Sequence, residues 1–507
     1  MGAVPDIEAG STEKSPKVED PSYSPENSID IEDGFIARLQ RFTGKYGVEQ
    51  RGIERVLEHE RTDTNVIKLG TMWFSVNMVV SSFAIGILGV PVFGLGFVDG
   101  FLVILFFNIL GSLPVCFFST LGARLGLRQM VLSRYYFGYY GVKLAVSLTA
   151  LACLGWSCVN IIVGAQLIHA VNNDVPGWAG ILIIGAATYL VTLFGYKIVH
   201  IYESCSWVPC FIVFLIVLGT YAHSGKFDNI PLNTGPTEAG RVLSFASAVF
   251  GFSTGWTTMS ADYCVYQPVT TSRKKVFFTV FSGLLPSLIF TQSLGLAIAT
   301  ATVNDPVYAL AYHDNHVGGL LAQVLVPPLG GFGKFCLVIL ALSIVGNNSP
   351  NIYSLGFSLQ ILHEKTAKLP RYVWSFFGSL IYIGVAVPGY THFEPVLENF
   401  MLIIGYWLSI YEGISFGEHI IFRRGTGGYC LEDYDQPSKL PPGFAAVAAF
   451  FFGVAGVIVG MSQTWFVGPI ARKIGESGGD VGFELAFSFT LLSYVVLRTL
   501  EKRYFKR

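Results

Sequence analysis

The chain has 507 residues, 52% of them hydrophobic and only 13% charged, with a net charge of −1. That composition excludes a water-soluble globule with an ordinary charged shell. Near-neutrality and the lack of a basic patch with interleaved aromatics leave no nucleic-acid partner to expect.

The charge is unevenly placed, with 23 of the 67 Asp, Glu, Lys and Arg residues in the first 68 positions. Residues 1–68 therefore read as a cytoplasmic N-terminal tail outside the packed body. Its first thirty residues are acidic and rich in Ser and Pro, a disordered composition. Between Gly34 and Glu60 apolar residues return at helical spacing, which predicts a membrane-proximal amphipathic helix. No positive stretch leads into an apolar h-region, so no cleaved signal peptide is expected. Lys14 and Lys17 are candidate handles for ubiquitin-dependent endocytic machinery.

From Met72 to Leu500 apolar runs of bilayer-spanning length recur, roughly 12 in all. They predict an all-α polytopic membrane protein. The expected spans are 72–98, 99–121, 143–170, 177–196, 204–222, 243–268, 276–303, 333–359, 372–389, 395–422, 443–463 and 482–500. Arg124, Arg128 and Arg134, then Arg273, Lys274 and Lys275, then Lys365, Lys368 and Arg371, then Arg423 and Arg424 fall in loops on one face. The opposite loop Val171–Trp178 has no basic residue. The excess of Lys and Arg marks the cytoplasmic side, so both termini are expected inside.

Two spans look interrupted. The first carries Ser81 and Ser82 followed by Gly86, Gly89 and Pro91, and the sixth carries Phe250 through Trp256 with Gly251 and Gly255. Glycine alone also serves close helix packing. Breaks at matching positions of two five-helix halves point instead to a secondary transporter with a mid-membrane site. The expected divisions are 69–222 for the first repeat, 223–422 for the second, and 423–507 for two additional helices and a short cytoplasmic C-terminus.

Trp156 and Asn160 share a face of the third span, and Trp256 follows at the sixth-span break. Asn347, Asn348, Pro350 and Asn351 crowd the eighth, with Asn347 and Asn351 on one face. Membrane Trp is often an interfacial anchor, and membrane Asn often only bonds a neighbouring helix. Flat aromatics plus amides without clustered fixed charge favour a neutral heteroaromatic solute. Glu203, at the inner end of the fifth span beside Lys197 and His200, is a proton-relay candidate, with a salt bridge to Lys197 as the plain alternative. Asp262 lies where it could serve an inner gate or pair with Arg273–Lys275. Glu418 suits an end-of-helix ion pair with Arg423 and Arg424. The eight cysteines form no CxxC pair and read as packing residues, with no metal site. No GxxxxGK[ST] run or catalytic constellation is present, which argues against an ATP-driven pump and an enzyme.

The stretches Gly155–Asn160, Gly255–Trp256 through Tyr266, and Asn347–Pro350 resemble the nucleobase–cation-symport-1 family. With Tyr202-Glu203 and Glu418-His419 the pattern is most similar to its fungal purine–cytosine permease branch, over about residues 35–505. The resemblance implies a leucine-transporter-like fold, with two inverted five-helix repeats plus two extra helices. It also implies a planar substrate stacked between Trp156 and Trp256 and held by Asn160 and Asn347, with Ser82 in the unwound first span and Pro350 beside the amide. Import of cytosine, adenine, guanine and hypoxanthine across the plasma membrane is the activity implied. Sodium-coupled relatives carry hydroxyl ligands where this chain has Ala341 and Leu342, with Ser343 one residue on. Loss of hard oxygen ligands favours the proton as coupling ion, with no other cofactor. Pyridoxine, uracil or allantoin as substrate, or a non-transporting nutrient sensor on the same fold, are the competing expectations.

Overall fold

The computed structural model describes residues 42, 43, 45, 48, 51–229, 231 and 234–507. Two units, Met1–Tyr46 and Gly47–Arg507, divide the chain. In the first, Phe42, Thr43 and Lys45 are helical. Lys14, Lys17 and most of the amphipathic helix expected over Gly34–Glu60 lie outside the described residues. All that follows concerns the second unit.

That unit is a helical bundle. Its helices are α1 (Val66–Asn77), α2 (Val80–Leu88), α3 (Phe97–Leu125), α4 (Arg134–Val171), α5 (Gly177–Leu193), α6 (Tyr196–Ser224) and α7 (Pro236–Thr254). There follow α8 (Arg273–Ala299), α9 (Pro306–Leu329), α10 (Gly331–Leu362), α11 (Arg371–Gly389), α12 (Phe393–Phe416), α13 (Phe444–Gly460) and α14 (Gly482–Phe505). Among the described residues eight helical segments are long and apolar enough to cross a bilayer, or nine with α1 and α2 counted as one bent span. Two shorter apolar helices, α5 and α13, join them. Each expected span has a helical counterpart. Helix α9 was not expected; it is kinked at Asn315 and His316 and packs on α4 and α10. A small hairpin, β1 (Ser462–Gln463) and β2 (Phe466–Val467), precedes α14. The core centres on α4 lying along α10, with α8 packed against α1, α2 and α3.

The first span is broken, but not where its glycines stand. Helix α1 stops at Asn77, Met78 and Val79 leave helical geometry, and α2 continues at an angle of 52°. Asn77 turns its amide back onto the Trp73 carbonyl at 3.0 Å, a local bond that competes with helix continuation. Gly86 stays helical because α8 needs the space: a Cβ there would lie 1.8 Å from the Gln292 carbonyl oxygen. One on Gly295 would lie 2.1 Å from that of Phe83, so the two helices meet through reciprocal glycines. Gly86→Val should therefore destabilise the bundle by about 3 kcal/mol through overpacking. The melting temperature of the detergent-solubilised protein measures this, and an unchanged value would refute the close-packing role. The sixth span is interrupted where expected. Helix α7 ends at Thr254, and after a turn a 3₁₀ segment runs from Ser260 to Tyr263.

The packed body begins before residue 69. Residues 51–65 run across the C-terminal end of α3, with Val56 fully buried and Arg61 4% exposed. Arg55 Nε donates to Leu125 O at 3.1 Å, Arg61 Nη1 to Ala123 O at 3.3 Å, and Val56 N to Gly126 O at 2.9 Å. These are the last carbonyls of α3, which have no intrahelical partner. Arginines read from composition as a solvated tail thus close a helix end. At the opposite end of the sequence Glu418 joins Arg423 Nε at 3.1 Å, as expected, and also Arg498 Nε on α14 at 3.1 Å. Arg498 in turn holds Glu501 at 2.7 Å. All eight cysteines are free; Cys205 and Cys430 are exposed and the rest buried.

Candidate substrate site

Where both breaks face α4 and α10, a narrow cleft of about 10 Å³, room for about one water molecule, is lined by Trp156, Phe252, Gly255, Trp256, Asn347 and Asn351. Trp156 is held edge-on by Phe252 at 5.1 Å and Phe400 at 5.4 Å between ring centroids. Trp256 is held by Trp73, edge-on at 5.7 Å, and by its own N–H, which donates to Asn77 Oδ1 at 3.1 Å. One indole, Trp156, is thereby fixed on α4 and the other, Trp256, within the sixth-span break. A Cβ on Gly255 would meet the Trp156 ring at 3.3 Å, so glycine admits the indole here.

The amides form a relay. Ser81 Oγ donates to Asn160 Oδ1 at 2.6 Å, and Asn160 Nδ2 donates to Asn347 Oδ1 at 2.7 Å. Asn347 Nδ2 donates to the Val76 carbonyl, one freed by the first-span break. Asn351 Nδ2 reaches the Asn347 carbonyl at 3.3 Å. Broken backbone in a membrane must find such partners inside the protein.

Of the residues singled out from the sequence, Trp156, Trp256 and Asn347 line the cleft, and Asn160 stands directly behind Asn347. Ser82 is fully buried with its hydroxyl unpaired and does not line it. Pro350 contributes its carbonyl to Tyr263 Oη, 2.9 Å away, rather than a cleft wall. Asn348 is buried away from the cleft, neither side-chain atom partnered.

Glu203 is fully buried, its carboxyl oxygens 3.0 and 3.4 Å from where a Cβ of Gly346 would sit, next to Asn347. Neither oxygen meets hydrogen-bond geometry. The Ser75 hydroxyl bears on the carboxyl but lies 3.0 Å from Ser206 Oγ. The side chains of Lys197 and His200 lie outside the described set, and with them the salt-bridge alternative. Asp262 is 4% exposed and accepts from Gln129 N at 2.8 Å and Ser354 Oγ at 3.0 Å. It ties the segment after the sixth-span break to α10 and to the chain entering α4, and does not bond the Arg273–Lys275 cluster.

Sequence reasoning missed Phe252, Asn77, Ser81 and Glu412 and left Asn351 outside the site. Glu412 carried a usable signal, being a lone carboxyl inside an apolar span. Trp156→Ala should weaken ligand binding by about 1–3 kcal/mol, the worth of one stacking surface. Radioligand displacement on membranes reads this out, and an unaltered affinity would remove Trp156 from the site.

A family model for permeases for cytosine/purines, uracil, thiamine and allantoin matches residues 55–482. The chain belongs to this family. The permease is 56% identical over 476 residues to the purine-cytosine permease fcyB of Emericella nidulans, covering 94% of this chain and 93% of that one. It is 45% identical over 506 residues to purine-cytosine permease FCY2 of Saccharomyces cerevisiae, covering 99% and 94%. These relatives set it in the fungal purine–cytosine branch of the nucleobase–cation-symport-1 family. Among solved structures, Mhp1 in a closed conformation with bromovinylhydantoin bound superposes with a TM-score of 0.69 at 14% identity, covering 90% of this chain and 96% of Mhp1. Inward-facing Mhp1 gives 0.67 at 15% identity, covering 90% and 96%. The permease thus has the leucine-transporter-like fold, and it is a multi-pass membrane transporter, not an enzyme.

Proposed function

We propose that this permease imports cytosine and the purines adenine, guanine and hypoxanthine by proton symport across the plasma membrane, with both termini cytoplasmic. The observation that carries the reading is the cleft itself: two immobilised indoles facing a connected set of amides. A flat base stacks on the indoles, and its edge of ring nitrogens and carbonyls exchanges hydrogen bonds with Asn347 and Asn351. A wrong edge leaves a buried amide unpaired, which is the source of discrimination. Its similarity to the fungal purine-cytosine permeases supports the same substrate class.

For the ion, the reading rests on oxygen chemistry. At the expected register stand Ala341 and Leu342, and the Ser343 hydroxyl is spent on Leu340 O at 2.6 Å. Glu203, beside Gly346, is the group proposed to take the proton, and Asp262 the one proposed to hold the inner gate. Substrate and proton enter from outside, and the repeats 69–222 and 223–422 rock to release them inward, with residues 423–507 adding two outer helices.

Uptake of labelled cytosine into cells lacking their own nucleobase permeases tests this, compared at about pH 5 and about pH 8, either side of the range where a buried carboxyl titrates. Acid-stimulated, uncoupler-sensitive uptake that adenine and hypoxanthine suppress is expected. No cytosine uptake with the protein at the surface would overturn the substrate assignment. A second reading has one observation behind it, 33% identity over 524 residues to the vitamin B6 transporter TPN1 of Saccharomyces cerevisiae. Pyridoxine that competes as well as adenine would favour it.

A further inference from the structure

Glu412 lies in α12, 3% exposed, and no ion pair reaches it among the described residues. Its Oε1 contacts Thr254 Oγ1 closely and Thr257 Oγ1 at 3.4 Å, and those two hydroxyls stand 3.0 Å apart. The three oxygens make a triangle across the sixth-span break. Thr254 ends α7, Thr257 begins the far side, and Gly255 and Trp256 lie between them.

Counting protons over this triangle is informative. With Glu412 ionised, two hydroxyl protons must serve three oxygen–oxygen contacts, so one contact holds lone pairs against lone pairs. With a proton on Glu412 Oε1, each oxygen donates once and accepts once: Glu412 to Thr257, Thr257 to Thr254, Thr254 back to Glu412. All three contacts are then filled, and no charge is left at membrane depth, where an unpaired carboxylate is costly.

Several ionisable groups of the elements packed on α12 bond elsewhere, while Glu484 of α14 keeps a buried, unpartnered Oε2. Arg241 of α7 bonds Gly94 O, Asp480 before α14 bonds Tyr406, and Arg498 and Glu501 pair with each other and Glu418 at the C-terminal end of α12. Asp262 bonds Gln129 and Ser354, and Arg134 of α4 pairs with Asp435. On α12 itself Tyr411 bonds Gln129 and Ser133. Only the two threonines bear on the Glu412 carboxyl.

We propose that Glu412 is a second proton-binding carboxyl, distinct from Glu203, whose proton closes the Thr254–Thr257 ring and holds Trp256 as a wall of the substrate cleft. Loss of that proton draws both hydroxyls onto the carboxylate, parts Thr254 from Thr257, and shifts the indole between them. Glu412 is a positioning residue: it acts through Trp256. The proposal rests on the substrate site described above, and two independent readouts separate its failure from that of the site.

The first readout needs no substrate. The infrared spectrum of the purified, full-length permease at about pH 5 should show a protonated-carboxyl band that Glu412→Gln removes and Glu203→Gln leaves in place. Thr257→Val should shift that band by removing the acceptor of its proton. A spectrum in which neither Glu412→Gln nor Thr257→Val changes any protonated-carboxyl band would overturn the proposal, whether or not cytosine binds. The second readout is cytosine affinity. In the native protein it should fall up to about tenfold per pH unit once the proton is lost. In Glu412→Gln, whose amide can donate in the proton's place, the fall should shrink to the part that Glu203 contributes, and with Glu203→Gln added the affinity should stay within about threefold across the same range. Glu412→Gln affinity that follows the native pH curve would also overturn the proposal. Native protein that binds no cytosine while the band behaves as expected would sink the substrate reading alone.

Discussion

Glu203→Gln should reach the cell surface, bind cytosine and exchange it, yet fail to accumulate it. Each pH unit of gradient supplies about 1.4 kcal/mol to a one-proton symporter, or about tenfold accumulation of a neutral solute. Without a protonatable group the inside-to-outside ratio should relax to about one, which is the largest functional loss expected of any single substitution here. The argument is spatial. The Glu203 carboxyl presses on Gly346, adjoining Asn347, where a change in charge is felt by the amide relay. An amide of the same size preserves that packing but carries no transferable proton. Steady-state accumulation, measured with and without an uncoupler, decides the matter. Normal uncoupler-sensitive accumulation would exclude Glu203 as the coupling group.

Asn347→Ala should lower cytosine affinity by about 2–4 kcal/mol, roughly thirty- to a thousandfold, because a cleft wall is lost and buried polar partners are left unpaired. Asn347 Oδ1 accepts from Asn160, and Nδ2 donates to the carbonyl that the first-span break leaves open. Truncation strands a buried N–H on α4 and a buried C=O at Val76 together. Asn160→Ala also strands two groups, the Ser81 hydroxyl and Asn347 Oδ1, but removes no residue of the cleft lining, so its effect should be smaller. Competition binding on both variants gives the comparison, and equal losses would contradict the junction role of Asn347.

The legible parts of this molecule were those in which one residue type has one use. Two indoles and an Asn at helical spacing inside apolar runs could be read as a ligand face, and Trp156, Trp256 and Asn347 do meet around one cleft. Gly255 marked the sixth-span break correctly because an indole fills the space its missing Cβ leaves. Gly86 misled because glycine serves equally to loosen a backbone or to let two helices touch, and only the position of Gln292 on α8 tells which. At the actual break Asn77 bonds backward onto Trp73 and also accepts from the distant Trp256 N–H, a partner the sequence does not reveal. Arg55 and Arg61 were read as solvated charge because composition carries no information on which carbonyls lie within reach. Glu412 was overlooked beside Glu203 although both are single acids in apolar surroundings. What singles it out is a pair of threonines more than a hundred and fifty positions away.

The ion cluster at the C-terminal end of α12 is completed from far along the chain. Glu418 is synthesised 80 residues before Arg498, the α14 partner that neutralises it. Until the last helix is delivered, Arg423 alone answers a carboxylate buried to within 1%. α14 is thus what closes that corner of the bundle, by bringing Arg498 to Glu418.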